Sequence, residues 1–73
     1  MKGENIVDAR GLSCPEPVLL TKKALAVYGN AAFCVEVSSA AARDNVAQFL
    51  AERGRSAQTA EADGLWRVNV EEG

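Results

Sequence analysis

Phe33-Cys34-Val35-Glu36-Val37-Ser38 alternates apolar and polar side chains without a break, and the reading of this stretch decides the fold. Period two puts Phe33, Val35 and Val37 on one face of a strand and Cys34, Glu36 and Ser38 on the other. One face needs a cover and the other stays open. The segments on either side are helical. Downstream, Ser39 is placed to cap a helix over residues 41–53, where Ala42, Val46, Phe49 and Leu50 form an apolar stripe and Gly54 stops it. Upstream, Val18, Thr21, Leu25 and Tyr28, widened by Leu20 and Ala24, form a stripe over residues 15–28, which Gly29-Asn30 ends.

Farther out, residues 4–9 read as a short first strand centred on Ile6 and Val7. Residues 57–62 are weakly patterned, as an exposed edge strand is. Asp63-Gly64 is a two-residue hairpin signal, and Trp66, Val68 and Val70 alternate with Arg67 and Asn69 in a last strand. The order is β-α-β-α-β-β. Two strand–helix–strand steps predict parallel pairing through right-handed crossovers. The expected fold class is therefore α/β, an α+β two-layer sandwich with both helices on one face of a four-stranded mixed sheet. Phe33, Val35, Val37, Trp66, Val68 and Val70 are expected to face the helices, with Trp66, Val35 and Phe49 substantially buried. Cys34, Glu36, Arg67 and Asn69 belong to the open face, where Glu36 is expected to be exposed. Apolar Ile6 and Leu65 share that face and allow weak dimerisation. No linker interrupts the chain, so residues 1–73 are expected to form one domain.

Composition excludes several classes of function. A chain of 73 residues buries only about 60% of its unfolded surface, so its core is small. A net charge of −2 with no basic run argues against nucleic-acid binding as the main activity. The apolar runs are too short to span a bilayer, and Met1-Lys2-Gly3-Glu4 leads straight into the first strand without a secretory signal. Two cysteines in such a chain read as thiols of a reducing compartment, hence a cytoplasmic protein. With no histidine, two cysteines make a poor zinc site and Cys–His catalysis is excluded. No cofactor and no metal are expected.

The chemistry concentrates in Asp8-Ala9-Arg10-Gly11-Leu12-Ser13-Cys14-Pro15-Glu16-Pro17, where the first strand gives way to the first helix. Pro15 suits the first helical turn, which has no use for its missing N–H. Ser13 and Glu16 stand in capping-box spacing, so either Ser13 or Cys14 is the N-cap. Unpaired N–H groups and the helix dipole favour negative charge there, and the thiolate is the reactive form of cysteine. A fall in pKa from about 8.5 to about 7 would raise the thiolate fraction at neutral pH from roughly a thirtieth to roughly half. Pro17 stands where a Cys-x-x-Cys oxidoreductase carries its second cysteine, which argues against thioredoxin-like exchange. Asp8 is expected to fix the turn by accepting backbone N–H groups. Arg10 either lowers the Cys14 pKa, meets a partner protein, or is a solvated surface cation. Gly11 is expected in a conformation that other residues avoid. Cys34 lies some four residues back from the strand end nearest Cys14, roughly 13 Å at about 3.3 Å per residue, beyond the roughly 7 Å a disulfide tolerates. Lys22 and Lys23 form a solvated helix face able to meet an acidic partner.

The segment from Val7 to Val18, with its Cys-Pro-x-Pro core behind Asp-x-x-Gly-Leu, resembles the signature of the TusA/SirA/YedF family of small sulfur-carrier proteins. Length and element order match that family over nearly the whole chain. The resemblance implies a cytoplasmic persulfide carrier, a sulfurtransferase that takes sulfane sulfur from a donor, a cysteine desulfurase or rhodanese, and passes it to an acceptor protein. The carrying residue is then Cys14, with Asp8, Arg10, Gly11, Leu12, Pro15, Glu16 and Pro17 shaping its site. tRNA thiolation, molybdenum-cofactor sulfur supply, sulfur oxidation and selenium handling all remain open as pathways. Two alternatives stand beside this reading: a non-catalytic interaction module that uses the Cys-Pro turn for recognition, and a selenium- or thiol-redox domain of the YedF type.

Overall fold

The computed structural model describes residues 5–12 and 16–72. Among them the chain forms β1 (Ile6–Asp8), α1 (Glu16–Tyr28), β2 (Phe33–Val37), α2 (Ala40–Glu52), β3 (Ala57–Ala62) and β4 (Leu65–Val70). This is the expected order, in a mixed sheet with strand sequence β1-β2-β4-β3.

The period-two stretch is an inner strand. β2 pairs with β1 in parallel, Val7 opposite Val35, and with β4 antiparallel, Val35 opposite Val68. Phe33, Val35 and Val37 are buried, as are Val68 and Val70, and they meet Ala24 of α1 and Ala42, Val46 and Leu50 of α2. Thr21 is fully buried among them, its Oγ1 donating to the Pro17 carbonyl at 2.8 Å, so the hydroxyl is satisfied within its own helix.

Ser39 caps α2 as expected, its Oγ accepting from the Ala42 N–H at 3.1 Å. Asp63 and Gly64 both have positive φ, 56° and 80°, the pattern of a type I′ hairpin turn. Arg55, which the sequence reading passed over, clamps three loop ends. Its guanidinium donates to the carbonyls of Gly29 (2.9 Å), Ala31 (3.2 Å) and Glu71 (3.0 Å).

The structure corrects the expectations in four places. The second crossover does not pair its strands directly: β3 runs parallel to β2, but β4 lies between them. The physical reason is side-chain supply. β4 brings Trp66, Val68 and Val70 to the core, whereas β3 has little apolar surface to bury and takes the edge. Trp66 and Phe49 are half-buried rather than buried, because each lies at the rim of the core under an arginine. Arg43 stacks 4.1 Å above the Trp66 ring and Arg53 stacks 4.9 Å above Phe49. Glu36 is on the open face, as the register requires, yet its side chain is only 13% exposed. Cations from neighbouring segments cover it, the Arg67 Nε at 3.0 Å and the Arg10 Nε at 4.0 Å. Finally, β1 is shorter than residues 4–9; within the described residues it begins at Ile6 and ends at Asp8.

Candidate functional site

The candidate site begins where β1 ends. Ala9 is buried, and its N–H donates to the Glu36 carbonyl at 2.9 Å, so the chain stays attached to β2 one residue past the strand. It then turns. The Leu12 N–H reaches back to the Ala9 carbonyl at 3.4 Å, and φ is positive at Gly11 (76°) but not at Arg10, the pattern of a type II turn. Gly11 therefore has the conformational role expected of it. A second bond, absent from the sequence reading, locks the turn: the Gly11 N–H donates to Ser38 Oγ at 2.8 Å. Ser38 follows the last residue of β2, so the end of the central strand sets the position of the turn.

Asp8 and Arg10 meet on this turn. Asp8 Oδ1 accepts from the Arg10 backbone N–H at 3.1 Å, as expected of a turn-fixing aspartate. The Arg10 guanidinium also returns to the same carboxylate, Nε to Oδ1 at 2.9 Å and Nη2 to Oδ2 at 3.1 Å, in a two-pronged pair. These side-chain hydrogen bonds pull the Asp8 pKa down from 3.8 to about 2, and Asp8 in turn raises that of Arg10. The Arg10 charge is thus engaged by Asp8, with Glu36 next nearest at 4.0 Å, while its side chain stays half-exposed. Asp8, Arg10, Glu36 and Arg67 thus make a line of alternating charge from the turn across the open face.

Ser13, Cys14 and Pro15 lie outside the described residues, and so do the expectations that rest on them: the identity of the N-cap, the thiolate-favouring helix start and the Cys14–Cys34 separation. The chain is described again from Glu16, the exposed first residue of α1, and Pro17, which is buried against the core. On the outer side of α1, Leu12, Glu16, Leu19, Leu20, Lys22 and Lys23 line an open groove. Leu12 and Leu19 are exposed there, Leu19 by 53%. Lys22 and Lys23 are exposed, as expected of a solvated cationic face, whereas Leu19 lies outside the apolar stripe and its place beside Leu12 is set by the packing of α1. Cys34 is half-buried in β2, opposite Ile6 and Asn69, away from the turn by the length of the strand.

The described part of the site is thus a turn held at both ends, a neutralised carboxylate, and an apolar groove edged by two lysines. Among the described residues no helix is long and apolar enough to cross a membrane. Residues 5–72 match the Sulfurtransferase TusA family. The crystal structure of a SirA-like protein from Desulfitobacterium hafniense resembles this one with a TM-score of 0.82 and 34% sequence identity, over 89% of this chain and 92% of the other. No curated protein matches the chain significantly.

Proposed function

Because this chain belongs to the TusA family of sulfurtransferases, whose members are sulfur carriers that work with other proteins, we propose that Cys14 is its carrying thiol and that it relays sulfur as a persulfide. In the loading step the Cys14 thiolate attacks the outer sulfur of a donor persulfide. A new S–S bond forms on Cys14, the donor's S–S bond breaks, and the donor cysteine leaves as a thiolate. In delivery an acceptor thiolate attacks the outer sulfur on Cys14, and Cys14 is released as a thiolate. Each step exchanges one S–S bond for another and needs no external oxidant or reductant. A cysteine desulfurase or rhodanese fits the donor role, and a thiol protein the acceptor role. A reducing compartment such as the cytoplasm suits this chemistry.

The observation that carries the reading is the turn joined to Ser38. The segment entering Cys14 leaves β1 at a position set by the Gly11–Ser38 bond, beside the exposed Leu12 of the groove. A carrier has to present its thiol to two different proteins, and a pinned turn next to exposed apolar surface supplies both presentation and contact area. Asp8, an anion that would disfavour a nearby thiolate, is neutralised by Arg10. Gly11, Leu12, Pro15, Glu16 and Pro17 complete the proposed site.

The test is mass spectrometry after incubation with a cysteine desulfurase and cysteine. One added sulfur, about 32 Da, is expected on Cys14. Cys14→Ser should abolish loading and Cys34→Ser should preserve it. Labelled sulfur on Cys34, or a Cys14–Cys34 disulfide without persulfide, would overturn the proposal in favour of a redox role.

A further inference from the structure

The sheet has two edges, and they differ. At the β1 edge the strand is three residues long and runs into the Asp8–Arg10 ion pair. Short length and edge charge are the usual devices that keep a sheet from pairing with another chain. The β3 edge lacks the first and has little of the second, a single acidic side chain at Glu61. It is six residues long, Ala57-Gln58-Thr59-Ala60-Glu61-Ala62, its register with β4 runs without a bulge, and it holds no proline, lysine or arginine. Residues 58–62 are all exposed.

The phase of the β3–β4 ladder shows which backbone groups this edge offers. A two-residue turn makes Ala62 and Leu65 the closing hydrogen-bonded pair, and hydrogen-bonded pairs then recur at every second residue. The Glu71 N–H, which donates to the Ser56 carbonyl at 2.9 Å, continues the same phase past the strand end. Ala57, Thr59 and Glu61 therefore direct their N–H and C=O groups away from β4.

We infer that β3 pairs antiparallel with β3 of a second copy of this chain, about a two-fold axis at Thr59. This goes beyond the sulfur-carrier reading and does not depend on it. In that register Thr59 faces Thr59 of the second copy, Ala57 faces Glu61, and Gln58 faces Ala60. Each facing pair lies on one face of the sheet, as antiparallel pairing demands. The three outward-facing residues of each copy exchange six backbone hydrogen bonds. The sequence is self-complementary in charge: its one acidic side chain, Glu61, faces alanine and never its own copy. The product is a continuous eight-stranded sheet with β1 at both outer edges, about 34 Å apart at about 4.8 Å per strand, so the turn leading to Cys14 stays unobstructed on each copy. A contact between two strands is small, so the association is weak and concentration-dependent.

Sedimentation analysis of the full chain, from about 10 µM to about 1 mM, tests this. Reversible dimerisation is expected over that range. Thr59→Pro removes only an outward N–H, which the intrachain ladder does not use, and should weaken association about tenfold or more. Thr59→Lys keeps every backbone group but sets two like charges face to face on the axis. It should weaken association at low salt and recover in high salt. Gln58→Lys, which would face Ala60, should do neither. Circular dichroism and a thermal melt report whether each variant folds, and Thr59→Lys decides the matter if Thr59→Pro does not. A wild-type chain that stays monomeric to about 1 mM overturns the inference, as does a dimer that both Thr59 variants leave intact. A dimer lost instead with Ile6→Lys assigns the contact to the open face and also overturns it. Persulfide loading of the monomeric variants should be unchanged, which keeps this test separate from that of the carrier.

Discussion

The Gly11 amide donates to the Ser38 hydroxyl oxygen across 2.8 Å, joining the turn after β1 to the residue that follows β2. The two residues are 27 positions apart, and the bond makes the central strand a reference point for the segment that leads into Cys14. Ser38→Ala should cost about 0.5–1 kcal/mol of stability, the usual worth of one neutral hydrogen bond at an accessible site. If the bond positions the thiol, persulfide loading should slow by roughly two- to fivefold while the alkylation rate of Cys34 stays the same. Denaturant unfolding and the ratio of the two alkylation rates check this. Equal changes at both cysteines would assign Ser38 to stability alone.

Gly11 itself offers a purely conformational test. A Cβ built on it meets nothing within 4 Å, so a side chain is refused by the backbone and not by its surroundings. With φ at 76°, Gly11→Ala should cost about 1–2 kcal/mol. Gly11→Asn should cost less, because asparagine tolerates the left-handed region. Equal losses for the two variants would point to a crowded site instead.

Asp8 gives a pH dependence with a definite sign. Its folded pKa, about 2, lies below the ordinary value of 3.8 because the Arg10 guanidinium holds the carboxylate. A depressed carboxylate pKa contributes stability that is present above the unfolded value and lost as pH falls through the folded one. The contribution should fade between about pH 4 and about pH 2. Stability measured for wild type and Asp8→Asn should converge across that window. Arg10→Gln should return the Asp8 carboxyl toward its ordinary value, as read by NMR titration. A carboxyl that titrates near 2 in Arg10→Gln would exclude Arg10 as the cause.

Core position separates two neighbours on α2. Leu50 is fully buried, so Leu50→Ala should cost about 2–5 kcal/mol. Phe49 is only half-buried beneath Arg53, and Phe49→Ala should fall below the roughly 3–5 kcal/mol of a buried phenylalanine. The ordering Leu50 over Phe49 is the checkable result, since the sequence stripe alone places both residues in the core. Chemical denaturation of both variants decides it. With total stability on the order of 4–11 kcal/mol for a chain of this size, Leu50→Ala approaches unfolding.

The sequence by itself determined the elements, their order and their inward faces. Strict alternation in residues 33–38, the Ser39 cap and the Asp63-Gly64 turn are local signals, each set by backbone geometry within a few residues, and all three appear in the structure as read. The signature around Cys14 was legible for the same reason, as a run of adjacent residues, and it led to the family that the comparisons bear out. Tertiary structure decided what depends on residues far apart in the chain. That β4 lies between β2 and β3 follows from competition among strands for the apolar centre of the sheet, which no single strand records. Glu36 is covered because Arg10 and Arg67 arrive from two other segments, and Phe49 and Trp66 stay at the rim because the core fills before it reaches them. Ser38, an ordinary polar residue at a strand end in the sequence, became part of the site only when parallel pairing of β1 and β2 brought it against Gly11.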